Sequence, residues 1–502
     1  MFVDNAFNRH ILLIGCKSLD GKATSERVSG LIAEVLETVS LGFHNVKYAV
    51  TDNGRNLVKL ADSLDLVRLP CVCHVLSNFF KVVFESPHLN PVLKKAKATA
   101  GLLCKSLATR EKFYSFSKIV KPGAKCPRAF CSTRWAGAYL LLKDYIDSID
   151  VLRSIPELVE QYPSQEEKET ALATIDLVKD VFIVLTMFES DSSTASCVVP
   201  NLIALDNHIS NNPLNSSKVG KVIKLEFRKR TSDIIKNMDF LVTTLLDPRF
   251  SFHKSAVGKT NWAKVEKRFL TLFEPLFDKK EENARSQTLP DTKQKLSPLE
   301  NLLQTEDDSV TSSSTLKDEL VRYKNQITQS SRPNYDSDPL DYWRINSTKF
   351  PLLSEISREI MSIPSSSAAT ERCFSRASYL YSTPSRNRLN QTSLDALLQV
   401  SARAHLIAEN SKVFSSSNED EEDSSAEEDT ETATPAGEED VTRKKAEEGT
   451  HSKDEEKTHR KAEKRRFDSD DDEDEMEIAN KLIPGPSARL DKDEMETSSD
   501  DD

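Results

Sequence analysis

Three features are scarce or missing in this sequence of 502 residues, and each absence excludes a class of protein. No apolar run approaches the roughly 20 residues that a helix needs to cross a bilayer, so we expect no membrane association. The segment from Met1 to Asp4 has no basic stretch leading into an apolar one, which predicts no secretory signal. The eight cysteines follow no repeating spacing, which is typical of free thiols in a reducing compartment.

Charge is distributed unevenly along the chain. From Asn418 onward there are 33 acidic and 13 basic residues, a balance of −20, whereas residues 1–417 have 47 acidic and 55 basic residues, a balance of +8. A mildly basic body with an acidic tail is what we expect of a protein that binds a polyanion such as DNA through its body. A solvated tail on an ordinary domain explains the tail equally well.

The N-terminal part has the pattern of an α/β domain. Apolar runs predict strands, and apolar residues at helical spacing between Val28 and Val39 predict a helix. The expected order is a strand at His10–Cys16, that helix, a strand at Val46–Val50, a helix at Arg55–Ser63 and a strand at Leu66–Leu69. This order implies parallel pairing through crossover helices. Asp52 then lies at the carboxyl end of a strand, where open sheets bind ligands, although an Asx turn is an equally good explanation.

The stretch from Phe350 to Leu406 predicts a series of short helices. Pro351 suits a first helical turn, and Leu353, Ile356 and Ile360 share one face of the helix that follows. Pro364 ends that helix, and three serines after it can cap the next one, which contains Glu371 near its start. A last helix has Leu394, Leu397 and Leu398 on one side.

Several strings of this sequence resemble the hAT superfamily of DNA transposases (the hobo and Activator type). The longest runs from Pro364 to Ser375 and continues at Arg386–Leu389, and it resembles the C-terminal dimerisation region of that family. Shorter matches are Asp52-Asn53 with Asn56, the Cys-x-x-His of Cys71 and His74, the pair Arg134-Trp135, and Leu245–Phe250. For Leu245–Phe250 the residues themselves indicate a turn begun by Asp247 and Pro248.

The resemblance implies an α/β plus all-α fold, in which a ribonuclease H-like core is interrupted by a large helical insertion and followed by a disordered acidic tail. The expected divisions are a partial core at 1–135, the insertion at 136–278, a flexible linker at 279–334 with a short helix near Leu316–Gln326, the dimerisation region completing the core at 335–410 and the tail at 411–502. In the family three acids hold two divalent metals, and Asp52 and Glu371 match the second and third. Mg²⁺ is the expected ion.

The first of the three acids has no match in this chain. Met1 to Asp4 resembles the second strand of the family's core, and the spacing of a BED zinc finger occurs nowhere in the sequence. We therefore expect a truncated or domesticated relative without transposase activity, in which Asp52 and Glu371 are vestigial. No cofactor is expected unless the chain is catalytically active, in which case Mg²⁺ would be needed.

Two further sets of residues are predicted to make contacts with partners. The dimerisation residues are Leu353, Ile356, Ile360, Phe374, Leu394, Leu397 and Leu398. The DNA-binding residues are His74, Arg134, Trp135, Arg228, Lys229 and Arg230. For two of the latter a structural role is open as well: a local hydrogen bond for His74 and core packing for Trp135.

The leading hypothesis is a transposase-derived nuclear protein that self-associates and binds DNA. The basic island at 460–466 has the composition of a nuclear import signal, and the acidic tail offers a site for nuclear protein partners. One alternative is an active hAT transposase whose N-terminal part is missing from this sequence. Another is a protein-interaction scaffold or transcriptional regulator without DNA affinity.

Overall fold

A computed structural model describes residues 1–130, 135–287, 315–382 and 388–402, with side chains described only as far as residue 277 in the second range. Most of these residues are helical. The acidic tail, the basic island at 460–466 and Arg134 lie outside the described residues. None of the described helices combines the length and the apolar character that a membrane span requires.

Four short strands form two separate pairs in the described part of the chain. Strands β1 (Phe2–Val3) and β2 (Arg9–His10) make an antiparallel hairpin. Strands β3 (Tyr48–Thr51) and β4 (Val67–Pro70) are parallel, with Tyr48 opposite Val67 and Thr51 opposite Pro70. The chain crosses from β3 to β4 through a helix, which confirms the predicted parallel pairing.

The bounds of the first two helices agree closely with the predicted bounds. Helix α1 (Ser25–Glu37) covers most of the predicted 28–39 stripe, and α2 (Arg55–Ser63) has the predicted bounds. The predicted strand at His10–Cys16 is wrong beyond His10, because residues 11–20 form no regular structure. Instead of pairing with a strand, the backbone N–H of Cys16 donates to Asp395 Oδ1 at 2.8 Å, and its carbonyl accepts from Gln391.

Between β4 and the C-terminal region the described chain is almost entirely helical. The helices are α3 (Val72–Glu85), α4 (Asn90–Lys105), α5 (Leu107–Val120), α6 (Gly137–Asp147), α7 (Ile149–Leu152), α8 (Gln165–Phe188), α9 (Val198–Asn211), α10 (Lys218–Lys236), α11 (Met238–Leu245) and α12 (Trp262–Gln287). Helix α3 is apolar on most of its surface and is buried among its neighbours. One hydrophobic core includes residues from Phe7 to Ile363, so the strand pairs and the helices pack against the same core.

The C-terminal part contains the helices α13 (Leu316–Gln329), α14 (Pro339–Asn346), α15 (Pro351–Met361) and α16 (Ala368–Ser382), and residues 391–402 form α17. Helix α13 lies within the predicted flexible linker at 279–334. Its side chains Leu316, Leu320, Tyr323 and Ile327 are buried in the core. A capping box between Thr315 and Asp318 begins this helix, and its buried apolar face explains why this segment is ordered. The division of the chain into domains otherwise stays a prediction.

The Leu245–Phe250 segment is structural, as its residues indicated. Asp247 is fully buried and accepts two hydrogen bonds from the guanidinium of Arg249, from Nε at 2.9 Å and from Nη2 at 2.7 Å. Ser196 Oγ donates to the same carboxylate at 2.6 Å, and Arg249 Nη1 reaches the carbonyls of Tyr335 and Ser337. This turn therefore attaches the end of α11 to the turn before α9 and to the segment that precedes α14.

The N-terminal hairpin is bound mainly by residues far along the chain. Arg9 Nε donates to the carbonyl of Met361 at 3.3 Å, across 352 residues. Arg344 donates to the carbonyls of Ala6 and Phe7, and Arg358 contacts Asn5. Helices α14 and α15 thus hold the hairpin in place.

Candidate functional site

The turn after β3 positions Asp52. Its carboxylate accepts the backbone N–H of Gly54 at 3.0 Å, so Asp52 makes the Asx turn that the sequence left open. Arg68 on β4 fixes the same turn, since Nε donates to Thr51 Oγ1 at 2.8 Å and Nη2 donates to Asn53 Oδ1 at 2.8 Å. Asp52 lies at the carboxyl end of β3 as predicted.

Cys71 stands at the N-cap of α3, next to the end of β3. Its N–H donates to the carbonyl of Thr51 at 2.7 Å, and its buried Sγ accepts the backbone N–H of Ser367 at 3.3 Å. The neighbouring Cys73, His74 and Ser367 lower the pKa of the Cys71 thiol, as expected for a sulfur at a helix N-terminus. The buried Cys71 therefore holds the start of α3 against both β3 and the C-terminal segment.

His74 connects this corner to the C-terminal region. Its Nε2 lies 3.7 Å from Glu371 Oε1 in the first turn of α16. The neighbouring Cys71 thiol and the negative charges of Glu371 and Asp52 raise the pKa of His74 despite its burial. The buried Nδ1 of His74 has no hydrogen-bond partner among the described residues, so both the local hydrogen bond and the contact with DNA stay predictions.

Glu371 is half-buried beside His74. Burial raises the pKa of its carboxyl, and the nearby Cys71 and Asp52 raise it further, although His74 lowers it. Asp52, which is 319 positions away in the sequence, is thus close enough to raise the pKa of Glu371. The structure brings these two predicted site residues to one corner of the molecule.

The serines before α16 attach it to the helical part of the chain. Ser365 Oγ and Ser366 Oγ both donate to the carbonyl of Phe188, at 3.0 and 2.7 Å. Ala368 N donates to Ser366 Oγ at 3.3 Å, so one serine also has the predicted contact at the helix start. This attachment holds Glu371 opposite His74.

Trp135 lies on the other side of His74. The two rings are 5.5 Å apart and nearly perpendicular, at 76°. Trp135 is partly buried and packs against the core, so the structure gives it the core contact that the sequence left as one possibility. Its predicted contact with DNA is not tested by this packing.

A pair of catalytic Mg²⁺ ions does not fit the residues at this corner. Among the described residues, no group of three or more His, Cys, Asp or Glu side chains is placed to hold a metal ion. One oxygen of Asp52 is used in its own turn, and the neighbours of Glu371 include an imidazole and a thiol. Mg²⁺ prefers oxygen ligands in an octahedron, and these groups are poor ligands for it. Metal binding by Asp52 and Glu371 stays a prediction.

The seven predicted dimerisation residues fall into two groups. Leu353, Ile356, Ile360, Leu394 and Leu398 are buried within this chain, so in this conformation their apolar side chains pack inside one subunit. Phe374 on α16 and Leu397 on α17 are exposed and remain available to a second copy.

The predicted basic patch at Arg228–Arg230 is largely neutralised. Arg228 makes a bidentate ion pair with Asp206, with Nε–Oδ1 at 2.7 Å and Nη2–Oδ2 at 3.1 Å. Arg230 lies 3.5 Å from Glu226 and only Lys229 projects freely from this short run. DNA binding through these three residues stays a prediction, which this pairing weakens.

Two residues of the corner were missed from the sequence. Arg68 fixes the Asp52 turn, and Ser367 donates to Cys71. The strand register places Arg68 opposite Ala49, two residues before Thr51, so the predicted parallel pairing would have indicated Arg68. No local signal points to Ser367, because its contact crosses 296 residues.

Comparison with known proteins gives one family match and several relatives. Residues 316–402 match the hAT family C-terminal dimerisation region. The chain is 23% identical to the putative AC transposase of Zea mays over 438 residues, which are 77% of this chain and 52% of that protein. It is 21% identical over 426 residues to the putative transcriptional regulator tpeD of Talaromyces stipitatus, covering 75% of this chain and 48% of the relative. With the Hobo transposase of Drosophila melanogaster it is 25% identical over 197 residues, 38% of this chain and 27% of that protein.

These similarities define the C-terminal part of the chain as a dimerisation region of the hAT type. Over most of its length the chain is similar to proteins named as transposases or related to them, which supports an hAT-family, transposase-like protein. It spans about half the length of the first curated relatives that it matches.

Proposed function

We propose that this protein is a transposase-derived nuclear protein that self-associates through its C-terminal region and binds DNA. The observation that carries self-association is the surface of α16 and α17, both of which lie in the region matched to the family. On α16, only Ala368 is buried, whereas Phe374 is 53% exposed and Tyr379 72% exposed. Leu397 and Val400 are exposed on α17.

The exposed aromatic side chains of α16 have the spacing of a contact surface. Phe374 and Tyr381 are seven residues apart, two helical turns, and so they lie on the same face. Apolar patches of this kind on a soluble protein are typical of interaction sites, and buried aromatic residues often contribute most of the binding free energy. A second copy of the same region is the partner that this surface fits best.

Sedimentation velocity of the full chain across a concentration series tests self-association. A variant with Phe374→Ser and Tyr381→Ser is expected to have a dissociation constant at least about 30-fold higher, since loss of an interface aromatic costs about 2 kcal/mol or more. Ile345→Ser is the matched control, because Ile345 is 79% exposed on α14, in the same region. A monomeric wild type at tens of micromolar, or an unchanged constant in the double variant, contradicts the proposal.

DNA binding and nuclear location rest on the relatives. Two of them are named transposases, one a putative transcriptional regulator, and others are named zinc finger BED domain-containing proteins. The basic balance of residues 1–417 supports contact with a polyanion. We further propose that the chain does not cleave DNA, since the described residues lack a third carboxylate beside Asp52 and Glu371.

The proximity of Asp52 and Glu371 favours one alternative, an active transposase of which this chain is a part. Nicking of supercoiled DNA that requires Mg²⁺ or Mn²⁺ and disappears in the Glu371→Gln variant would identify it. A transcriptional regulator without DNA affinity is the other alternative, which the name of the Talaromyces relative supports. Absence of binding to DNA at low salt, with self-association intact, would favour that reading.

A further inference from the structure

The most uneven distribution of charge in the described chain lies in residues 90–130. This stretch contains ten lysines and arginines and a single acidic residue, Glu111. Its excess of nine positive charges is larger than the excess of eight for the whole of residues 1–417, so the remainder of that body is nearly balanced. The positive character of the body is therefore concentrated in α4, α5 and the loop that follows.

Six of these ten basic side chains are used inside the protein. Three of them form ion pairs: Lys95 with Glu167 at 2.7 Å, Lys112 with Glu157, and Arg128 with the buried Asp144. Arg110 and Lys121 donate to backbone carbonyls. Lys97 lies 4.0 Å from the centre of the Phe130 ring. Several of these contacts attach α4, α5 and the loop to α6, to α8 and to the turn between them. These six side chains therefore stabilise the surface and are not available to bind a ligand.

The other four basic side chains are Lys94, Lys105, Lys118 and Lys125. All four are exposed, and none has a hydrogen bond or ion pair with another described residue. Lys94 and Lys105 are eleven residues apart on α4, close to three full turns, so they lie along one face. Lys118 and the exposed Tyr114 are one turn apart on α5 and also share a face.

Exposed aromatic rings accompany these lysines. Tyr114 is 51% exposed, and Phe130 is exposed beneath the ammonium group of Lys97. A rigid surface with unpaired lysines, aromatic rings and a single carboxylate has the chemistry that contacts the phosphates and sugars of a nucleic acid. Arg228 and Arg230 differ, because their own carboxylate partners already occupy them.

We propose that the surface formed by α4, α5 and residues 121–130, which we call the lysine face, is the DNA-binding surface of this protein. The lysine face contacts backbone phosphates through Lys94, Lys105, Lys118 and Lys125. Binding of this kind depends little on base sequence and falls steeply with salt. The inference rests on the proposed DNA binding and assigns it to a surface other than the predicted Arg228–Arg230 patch.

The test is a salt titration of binding to a random-sequence 30-base-pair duplex, using the full-length protein. One variant changes the four lysines of the lysine face to glutamine. The matched control makes the same change of charge on α10, replacing Lys218, Lys221, Lys224 and Lys236 with glutamine. Because each phosphate contact contributes about 0.9 to the slope of log K against log salt, loss of four contacts lowers the slope by about 3.6. At 0.1 M salt the dissociation constant is expected to rise at least about 100-fold in the first variant, and only slightly in the control.

The possible outcomes separate this inference from the proposed function. Wild-type binding that survives unchanged in the lysine-face variant, or that falls equally in both variants, overturns the inference and leaves DNA binding standing. Absence of wild-type binding at low salt overturns both. A competition arm with polyglutamate of equal charge distinguishes an acidic protein partner: displacement of the duplex at equal charge concentration overturns the assignment to DNA. Circular dichroism of each variant verifies that the helices are retained.

Discussion

Replacement of Asp247 by asparagine is expected to destabilise the protein severely. The carboxylate is fully buried and holds the guanidinium of Arg249 through two hydrogen bonds, with a third from Ser196. Asparagine preserves the shape but removes the charge and one acceptor, which leaves the mostly buried guanidinium without its counter-ion. Removal of one partner of a buried ion pair costs about 3–5 kcal/mol. This is about 150-fold to 5,000-fold in the unfolding equilibrium constant.

Urea unfolding followed by tryptophan fluorescence measures this effect close to the substitution. The buried indole of Trp343 donates to the carbonyl of Leu246 at 2.8 Å, directly beside Asp247. The control is Asp206→Asn, which breaks the exposed ion pair with Arg228 and should cost about 0–1 kcal/mol. If the two substitutions lower stability equally, the buried pair does not have the role that its geometry indicates.

The remaining predictions concern a tight packing contact and a pH-dependent helix cap. A Cβ on Gly220 would lie 2.1 Å from a carbonyl oxygen of the preceding turn, so Gly220→Ala should lower the free energy of unfolding by about 1–3 kcal/mol. The control is Gly101→Ala, where a Cβ would have no atom within 4 Å and should raise the free energy of unfolding by about 0.5–1 kcal/mol. Equal melting temperatures for the two variants would contradict this. Burial raises the pKa of Glu167, but hydrogen bonds from Lys95 and Ser164 lower it more, so the net pKa is below 4.5. This stabilisation is present above pH 4.5 and is lost as the pH falls through the lowered pKa. Glu167→Ala should therefore destabilise by about 1 kcal/mol at pH 7 and have little effect in acid, as measured by urea unfolding at both pH values.

The elements that could be predicted from the sequence are those fixed by local signals. The bounds of α2 and the start of α15 at Pro351 follow from helical periodicity and from proline at the first turn. The strand predicted at His10–Cys16 failed because an apolar run alone does not provide a partner strand. The backbone of Cys16 bonds instead with side chains of α17, more than 370 residues away.

The candidate site was predicted in outline only. The juxtaposition of Asp52 and Glu371 was expected from the family resemblance, since no local pattern joins residues so distant in sequence, whereas the position of His74 beside Glu371 was not predicted. The availability of basic side chains was the least predictable property, because composition does not show which lysines and arginines have acidic partners. Arg228 has the carboxylate of Asp206 beside it, 22 residues earlier in the chain, whereas Lys94 has no such neighbour among the described residues.

The attachment of the N-terminal hairpin to α14 and α15 has a consequence for biogenesis. Arg9 leaves the ribosome well before its partner, because its acceptor on Met361 is made 352 residues later. At about 5–20 residues per second the hairpin waits roughly 20–70 seconds for the helices that hold it. During that interval β1 and β2 pair only with each other, and a two-stranded hairpin is marginally stable in water. Nascent chains stopped before residue 340 should therefore leave this hairpin open to proteases and chaperones, however well the central helices have already folded.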